Sequence, residues 1–94
     1  MENYKTNPQL FDEYSELLKA LAHPVRLCIA KGLLDAGSSN VSNMQNCLDM
    51  PQSTISQHVS KLKSAGIIKG ERNGLEIIYS VSNDKVKDII KALF

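Results

Sequence analysis

At 94 residues the chain has room for one small domain and for no second core. Its 43% hydrophobic and 22% charged content argue against global disorder, and it holds no run of about 18 apolar residues that could cross a membrane. The net charge of +1 conceals an asymmetry, and the two cysteines, Cys28 and Cys47, lie far apart with no CxxC pair, so neither a disulfide scaffold nor a four-ligand zinc site follows.

The start, MENYKTNPQLFDEY, lacks the basic-then-apolar order of a signal peptide, so a cytoplasmic location is expected. Residues 1–7 read as a frayed start. From Pro8, the spacing of Leu10, Tyr14, Leu17, Leu18 and Leu21 predicts an amphipathic helix to about Ala22. Pro24 then suits the first turn of a second helix, where its missing N–H matters least. Val25, Ile29, Leu33 and Leu34 continue that helix, and Gly37 ends it. After an SSN loop, VSNMQNCLDM predicts a short third helix with Val41, Met44 and Leu48 inward. Pro51 breaks the chain sharply, and a fourth helix over 52–65 follows, stopped by Gly66.

Beyond Gly66 the period changes from helical to alternating. IIKGERNGLEIIYSVS contains Asn73-Gly74, a strong hairpin signal, and places Leu75, Ile77, Tyr79 and Val81 on one face of the returning strand. The chain closes on a helix with an apolar stripe of Val86, Ile89, Ile90 and Leu93. The predicted fold is therefore mainly α with a small β-hairpin, in the order α-α-α-α-β-β-α, filling residues 1–94 as a single domain.

The fourth helix is unusual in its polar face. Ile55, Val59 and Leu62 cluster within roughly 60° when each residue turns about 100°. The opposite face shows Ser53, Ser56, Gln57, Ser60, Lys61 and Ser64. A merely solvated helix favours Glu, Lys, Arg and Ala, which are better helix formers. Small hydroxyls and amides repay their cost when something must approach closely and be hydrogen-bonded. Charge points the same way. Residues 51–75 carry Lys61, Lys63, Lys69 and Arg72 against Glu71 alone, whereas acids outnumber bases in the first fifty residues. A polyanion partner is implied for that segment.

A short helix, a tight turn, a second helix and a basic hairpin make the layout of a winged helix-turn-helix. The second of these helices enters the DNA major groove, where small side chains let the backbone close in and amides reach base edges. Gln52, Ser53, Thr54 and Gln57 at its start suit base edges. Ser56, Ser60 and Lys61 suit sugars or phosphates, which fix register without reading sequence. Arg72 at the hairpin tip suits a neighbouring backbone or minor groove. Two rival readings are a soluble helix with a serine-rich face and a winged helix that binds protein. Glu71 and Glu76 in the wing oppose DNA mildly and keep the second rival open.

LLKALAHPVRLCIAKGLL, followed by PQSTISQHVSKLKSAGIIKGERNGLEIIYSV, resembles the ArsR/SmtB family of bacterial repressors, over roughly residues 15–93. The resemblance implies a homodimer, formed by the first and last helices, that binds imperfect inverted repeats in double-stranded DNA and blocks transcription. It assigns Gln52, Ser53, Thr54, Ser56, Gln57, His58 and Lys61 to the recognition helix and Arg72 to the basic wing. A dimer also follows from size, because so small a chain struggles to cover the apolar stripes of both terminal helices. The interface candidates are Leu10, Phe11, Tyr14, Leu17, Ile89, Ile90, Leu93 and Phe94, each with ordinary core as the alternative.

Many members of this family release DNA on binding metal, through a cysteine-x-cysteine before Asp-Leu in the third helix or through Asp with several His in the last. At the first site this sequence has Asn40 and Ser42, with Asn43-Met44 in place of Asp-Leu. Neither offers a thiolate. The last helix keeps Asp84 and Asp88 but has no histidine. No metal and no cofactor are expected, which matches a metal-independent branch of the family. Other members sense oxidants or persulfides through cysteines in the second and last helices. Here Cys28 lies in the second helix and reads as a small core residue, while Cys47 lies in the third with nothing basic beside it. A thiol- or persulfide-responsive repressor stays open as an alternative. His23 reads as a helix N-terminal or packing residue, and His58 as a phosphate contact or a solvated side chain. No nucleophile, base and acid fall in a pattern that supports catalysis, so an enzyme is not expected.

Overall fold

Four of the five helices begin where a side chain stands in for a missing backbone acceptor. The computed structural model describes residues 2–94. In chain order it has α1 Pro8–Leu21, α2 Pro24–Ala36, α3 Val41–Leu48, α4 Gln52–Ser64, β1 Ile68–Asn73, β2 Glu76–Val81 and α5 Asp84–Leu93. The Asn7, Asn40 and Asn83 side chains accept from the backbone N–H groups of Leu10, Asn43 and Val86, and the His23 ring accepts from Val25. Each such cap is worth about 1 kcal/mol. By contrast, α4 begins after Pro51 with no side-chain cap.

The helix ends use left-handed backbone. Gly37 has φ 85° after α2, and Gly66 has φ 75° after α4. Between α3 and α4 the turning residue is Asp49, at φ 52°, in the region that Asn and Asp tolerate best after glycine. The third helix thus stops at Leu48, two residues short of the predicted end, and the fourth at Ser64, one residue short. Residues 3–7, expected to be frayed, form a turn in which the Asn3 side chain accepts from the Lys5 and Thr6 backbone N–H groups. Met1 lies outside the described residues.

The core gathers one stripe from each helix. Leu17 and Leu21 of α1, Ile29, Ala30 and Leu33 of α2, Met44 of α3, and Val86 and Ile90 of α5 are buried around α4. On α4, Ile55 and Leu62 are fully buried and Val59 nearly so, which matches the spacing read from sequence. At about 1.5–3 kcal/mol for each fully buried aliphatic side chain, this stripe holds α4 in one rotational setting. Its opposite face has no choice but to look outward.

The hairpin is antiparallel, with Gly70 opposite Tyr79, Arg72 opposite Ile77 and Asn73 opposite Glu76. The two turn residues are therefore Gly74 and Leu75, not Asn73 and Gly74. Gly74 takes the positive φ (68°) that a type II′ turn requires at its first central position, while Asn73 stays in the ladder. Burial along the face that carries Leu75, Ile77, Tyr79 and Val81 is uneven. Tyr79 and Val81 are buried, but Ile77 is exposed and Leu75 fully so, because the outer half of the wing projects past the body. The SSN loop also pairs. Ser39 exchanges two backbone hydrogen bonds with Tyr79, at 3.0 and 2.8 Å, and so ties the start of α3 to the wing. A one-residue bridge leaves no periodicity in sequence to find.

Candidate nucleic-acid interface

The buried stripe of α4 turns Gln52, Ser53, Ser56, Gln57, Ser60 and Lys61 to solvent, and all six are exposed. Thr54 is half-buried at the edge of this surface. With no side chain capping α4, the start of the helix presents both its positive dipole end and small polar groups on the same side. Such an arrangement can accept phosphate oxygens and hydrogen-bond base edges.

The wing adds a free cation. Arg72 is exposed within the ladder, opposite Ile77, whereas Lys69 is engaged by Glu71 at 3.2 Å. Glu76 accepts from the Asn40 amide at 3.0 Å, across the gap from the wing to the start of α3. Both acids that weighed against DNA thus have partners within the protein. Asn40 is engaged as well, since the same side chain caps α3.

His58, expected among the DNA-contacting groups, is half-buried and turned towards α2. Its Nδ1 lies 3.3 Å from Arg26 Nη1, and its ring packs 4.6 Å from the His23 ring. Arg26 Nε in turn donates to the Ala20 carbonyl near the end of α1. Burial first, then the positive charge of its neighbours, pushes the His58 pKa below the usual histidine value. As acceptor of the Arg26 N–H, the ring links α4 to α2. Sequence reading missed this trio because Arg26 and His58 are 32 residues apart. The one local signal was HPVR, which sets His23 and Arg26 three apart at one helix start.

A helix-turn-helix domain model matches residues 21–71. The transcriptional repressor PagR of Bacillus anthracis is 42% identical over 91 residues, spanning 97% of this chain and 91% of that protein. The chain belongs to the ArsR/SmtB family. The PagR crystal structure superposes with a TM-score of 0.83 at 44% identity, covering 89% of this chain and 95% of that one. A winged helix-turn-helix DNA-binding domain from Mycobacterium bovis, described as homodimeric, reaches a TM-score of 0.84 at 25% identity, over 99% of this chain and 85% of that one. The first of these relatives is named a transcriptional repressor and the second a DNA-binding domain.

In this ArsR/SmtB protein the interface candidates fall into three groups by burial. Leu17 and Ile90 are buried in its own core, which corrects their assignment to a partner surface. Leu10 and Ile89 are half-buried. Phe11, Tyr14, Leu93 and Phe94 are exposed, and Leu18, omitted from the candidates, is exposed beside them on α1. Lys85 of α5 lies 5.1 Å above the Tyr14 ring, which sets the start of α5 beside the middle of α1. Its hydrogen bond to Tyr14 raises the Lys85 pKa.

Cys28 is also corrected. It is exposed rather than in the core, and so is Cys47. Both line one groove between α2 and α3. Among the described residues, no cluster of three or more His, Cys, Asp or Glu side chains is placed to hold a metal ion, and no helix is long and apolar enough to cross a membrane.

Proposed function

We propose that this chain is a cytoplasmic bacterial transcriptional repressor that binds a near-palindromic operator as a homodimer, through α4 and the wing, without the metal sites usual in its family. The observation that carries this reading is the two-sided character of α4. Ile55, Val59 and Leu62 lock one face, and the other offers Gln52, Ser53, Ser56, Gln57 and Lys61 in a single exposed row. Gln52, Ser53, Thr54 and Gln57 read base edges, while Ser56 and Lys61 hold the backbone. Arg72 follows the neighbouring phosphates or minor groove. Repression comes from occupancy of the site.

Homodimerisation uses Phe11, Tyr14 and Leu18 of α1 with Leu93 and Phe94 at the end of α5. Their exposure in one chain supports it, since apolar side chains of this size gain by being covered. Two-fold symmetry would set the α4 helices about one DNA turn, roughly 34–36 Å, apart. The relative described as homodimeric supports the same arrangement. A protein-binding winged helix is the weaker reading, because Glu71 and Glu76 are engaged within the chain. A thiol-responsive repressor gains support from the exposure of Cys28 and Cys47 on one groove.

The test is binding to DNA upstream of the chain's own gene, against scrambled DNA of equal length, at two salt concentrations. Preferential, salt-sensitive binding with two protomers per site is the expected result. Equal affinity for both DNAs at both salts would overturn it.

A further inference from the structure

The groove between α2 and α3 lies away from the polar row of α4 and from the apolar face of the terminal helices. It encloses a cavity of about 190 Å³. Leu33 and Met44 give it apolar walls, Cys28 and Cys47 contribute a thiol from each helix, and Ser39 and Asn43 add polar groups. Both cysteines are exposed. Gly32 lies on the α2 wall, one turn from Cys28, and a methyl group built there would meet nothing within 4 Å. Packing therefore does not demand a glycine inside this helix, and its effect is to leave the groove open.

We propose that this groove captures a small apolar electrophile of the enone or quinone class, held by the apolar walls and bonded by Cys28 or Cys47. The volume is below the range typical of drug-sized sites, about 300–1,000 Å³, and fits a single ring. Two thiols alone make an incomplete donor set for a tetrahedral ion such as zinc, and no third ligand is clustered with them among the described residues. A simple oxidant needs no apolar cavity. A neutral conjugated carbonyl uses both features, with Ser39 or Asn43 able to donate to its oxygen.

In the reaction, the cysteine sulfur adds to the carbon β to the carbonyl. The new C–S bond forms as the C=C π bond breaks, and that electron pair passes towards the carbonyl oxygen. With an enone the thiol proton ends on the α carbon. With a quinone, the thiol proton and the displaced ring proton end on the two oxygens, giving a hydroquinone thioether. Nothing leaves, and no further oxidant or reductant is required. Because α3 packs on α4, an adduct that wedges α3 from α2 shifts the DNA-reading helix. This regulatory consequence rests on the repressor reading; the capture does not.

The experiment compares 1,4-benzoquinone with the charged alkylator iodoacetate, following adducts by intact mass and peptide mapping. On the native protein, benzoquinone should label Cys28 or Cys47 with a saturating rate, about tenfold above that in urea, as binding supplies proximity. Iodoacetate should show no such gain. Gly32→Leu fills the cavity and should bring the benzoquinone rate down to the urea value while leaving iodoacetate unchanged. Gly32→Ala gives a smaller drop and serves if the larger side chain disturbs the fold. Non-saturating labelling at the urea rate, or labelling insensitive to both variants, would mean merely exposed thiols and overturn the proposal. Operator binding by the fully labelled protein is then measured. Weakened binding supports the regulatory consequence, and unchanged binding removes it. A chain that never discriminates DNA, labelled or not, fails the repressor reading alone, since the mass readout involves no DNA.

Discussion

The imidazole rings of His23 and His58 stand 4.6 Å apart, tilted by 41°, and join the start of α2 to the middle of α4. Each ring accepts through Nδ1, His23 from the Val25 N–H and His58 from Arg26. Acceptance of the Arg26 N–H requires the neutral His58 ring. Helix α4 is thus held to α2 by a contact that depends on the His58 proton.

Stability should follow from this clamp with a definite sign. The folded protein holds the His58 pKa below its unfolded value, so folding favours the neutral ring. The contribution is complete above the unfolded value, about 6.5, and is lost as pH falls through the lower folded value. Thermal midpoints should be flat at neutral and mildly alkaline pH and decline on acidification, and His58→Gln should flatten that decline. An identical acid profile in the variant would assign the titration to other groups.

The wing tests close packing. A Cβ on Gly70 would lie 2.8 Å from Ile77 Cγ2 and 2.9 Å from Tyr79 Cε1. Tyr79 is held in the core and also bonded to Ser39, so it cannot retreat freely. Gly70→Ala should destabilise the protein by about 1–3 kcal/mol in urea denaturation, the usual cost of overpacking. A change within a few tenths of a kcal/mol would show that the hairpin adjusts.

Base reading and backbone holding should separate by mutation. Gln57→Ala should reduce discrimination at one operator position by about 1–3 kcal/mol, with little change on random DNA. Lys61→Ala should weaken both DNAs alike and lower the salt slope by about one. Titrations of both variants on operator and scrambled duplexes decide this, and matched losses for the two variants would contradict the division of roles.

Exposure separates the proposed dimer contacts from core. Phe11→Asp combined with Leu93→Asp alters only exposed positions, so the chain should stay folded, sediment as a monomer and lose tight operator binding. Ile90→Asp, by contrast, puts a charge where the side chain is 1% exposed and should unfold the protein. Sedimentation with circular dichroism tells these outcomes apart. A folded dimer in the double variant would move the interface elsewhere.

Periodicity made much of this legible. Ile55, Val59 and Leu62 fall on one side of α4 by helix geometry alone, so the polar row opposite follows directly from residue spacing. The change from helical to alternating spacing after Gly66 likewise announced the wing. The same rule could not separate Leu17 from Phe11, or Ile90 from Leu93, since all sit on apolar stripes and only packing decides which are covered. Nor could it show that the hairpin turns at Gly74 and Leu75, because the register is set by Tyr79 lodging opposite Gly70.

The sequence by itself determined the order of elements, the helix starts at Pro8, Pro24 and Gln52, and the face of α4 that is free to meet DNA. These are local properties, carried by residues within a turn or two of each other. Tertiary structure alone decided that His58 serves α2, that Cys28 and Cys47 share a groove, and that Glu71 and Glu76 are already engaged. The physical reason is that a helix dictates which of its residues share a side, while what covers that side comes from residues distant in the chain.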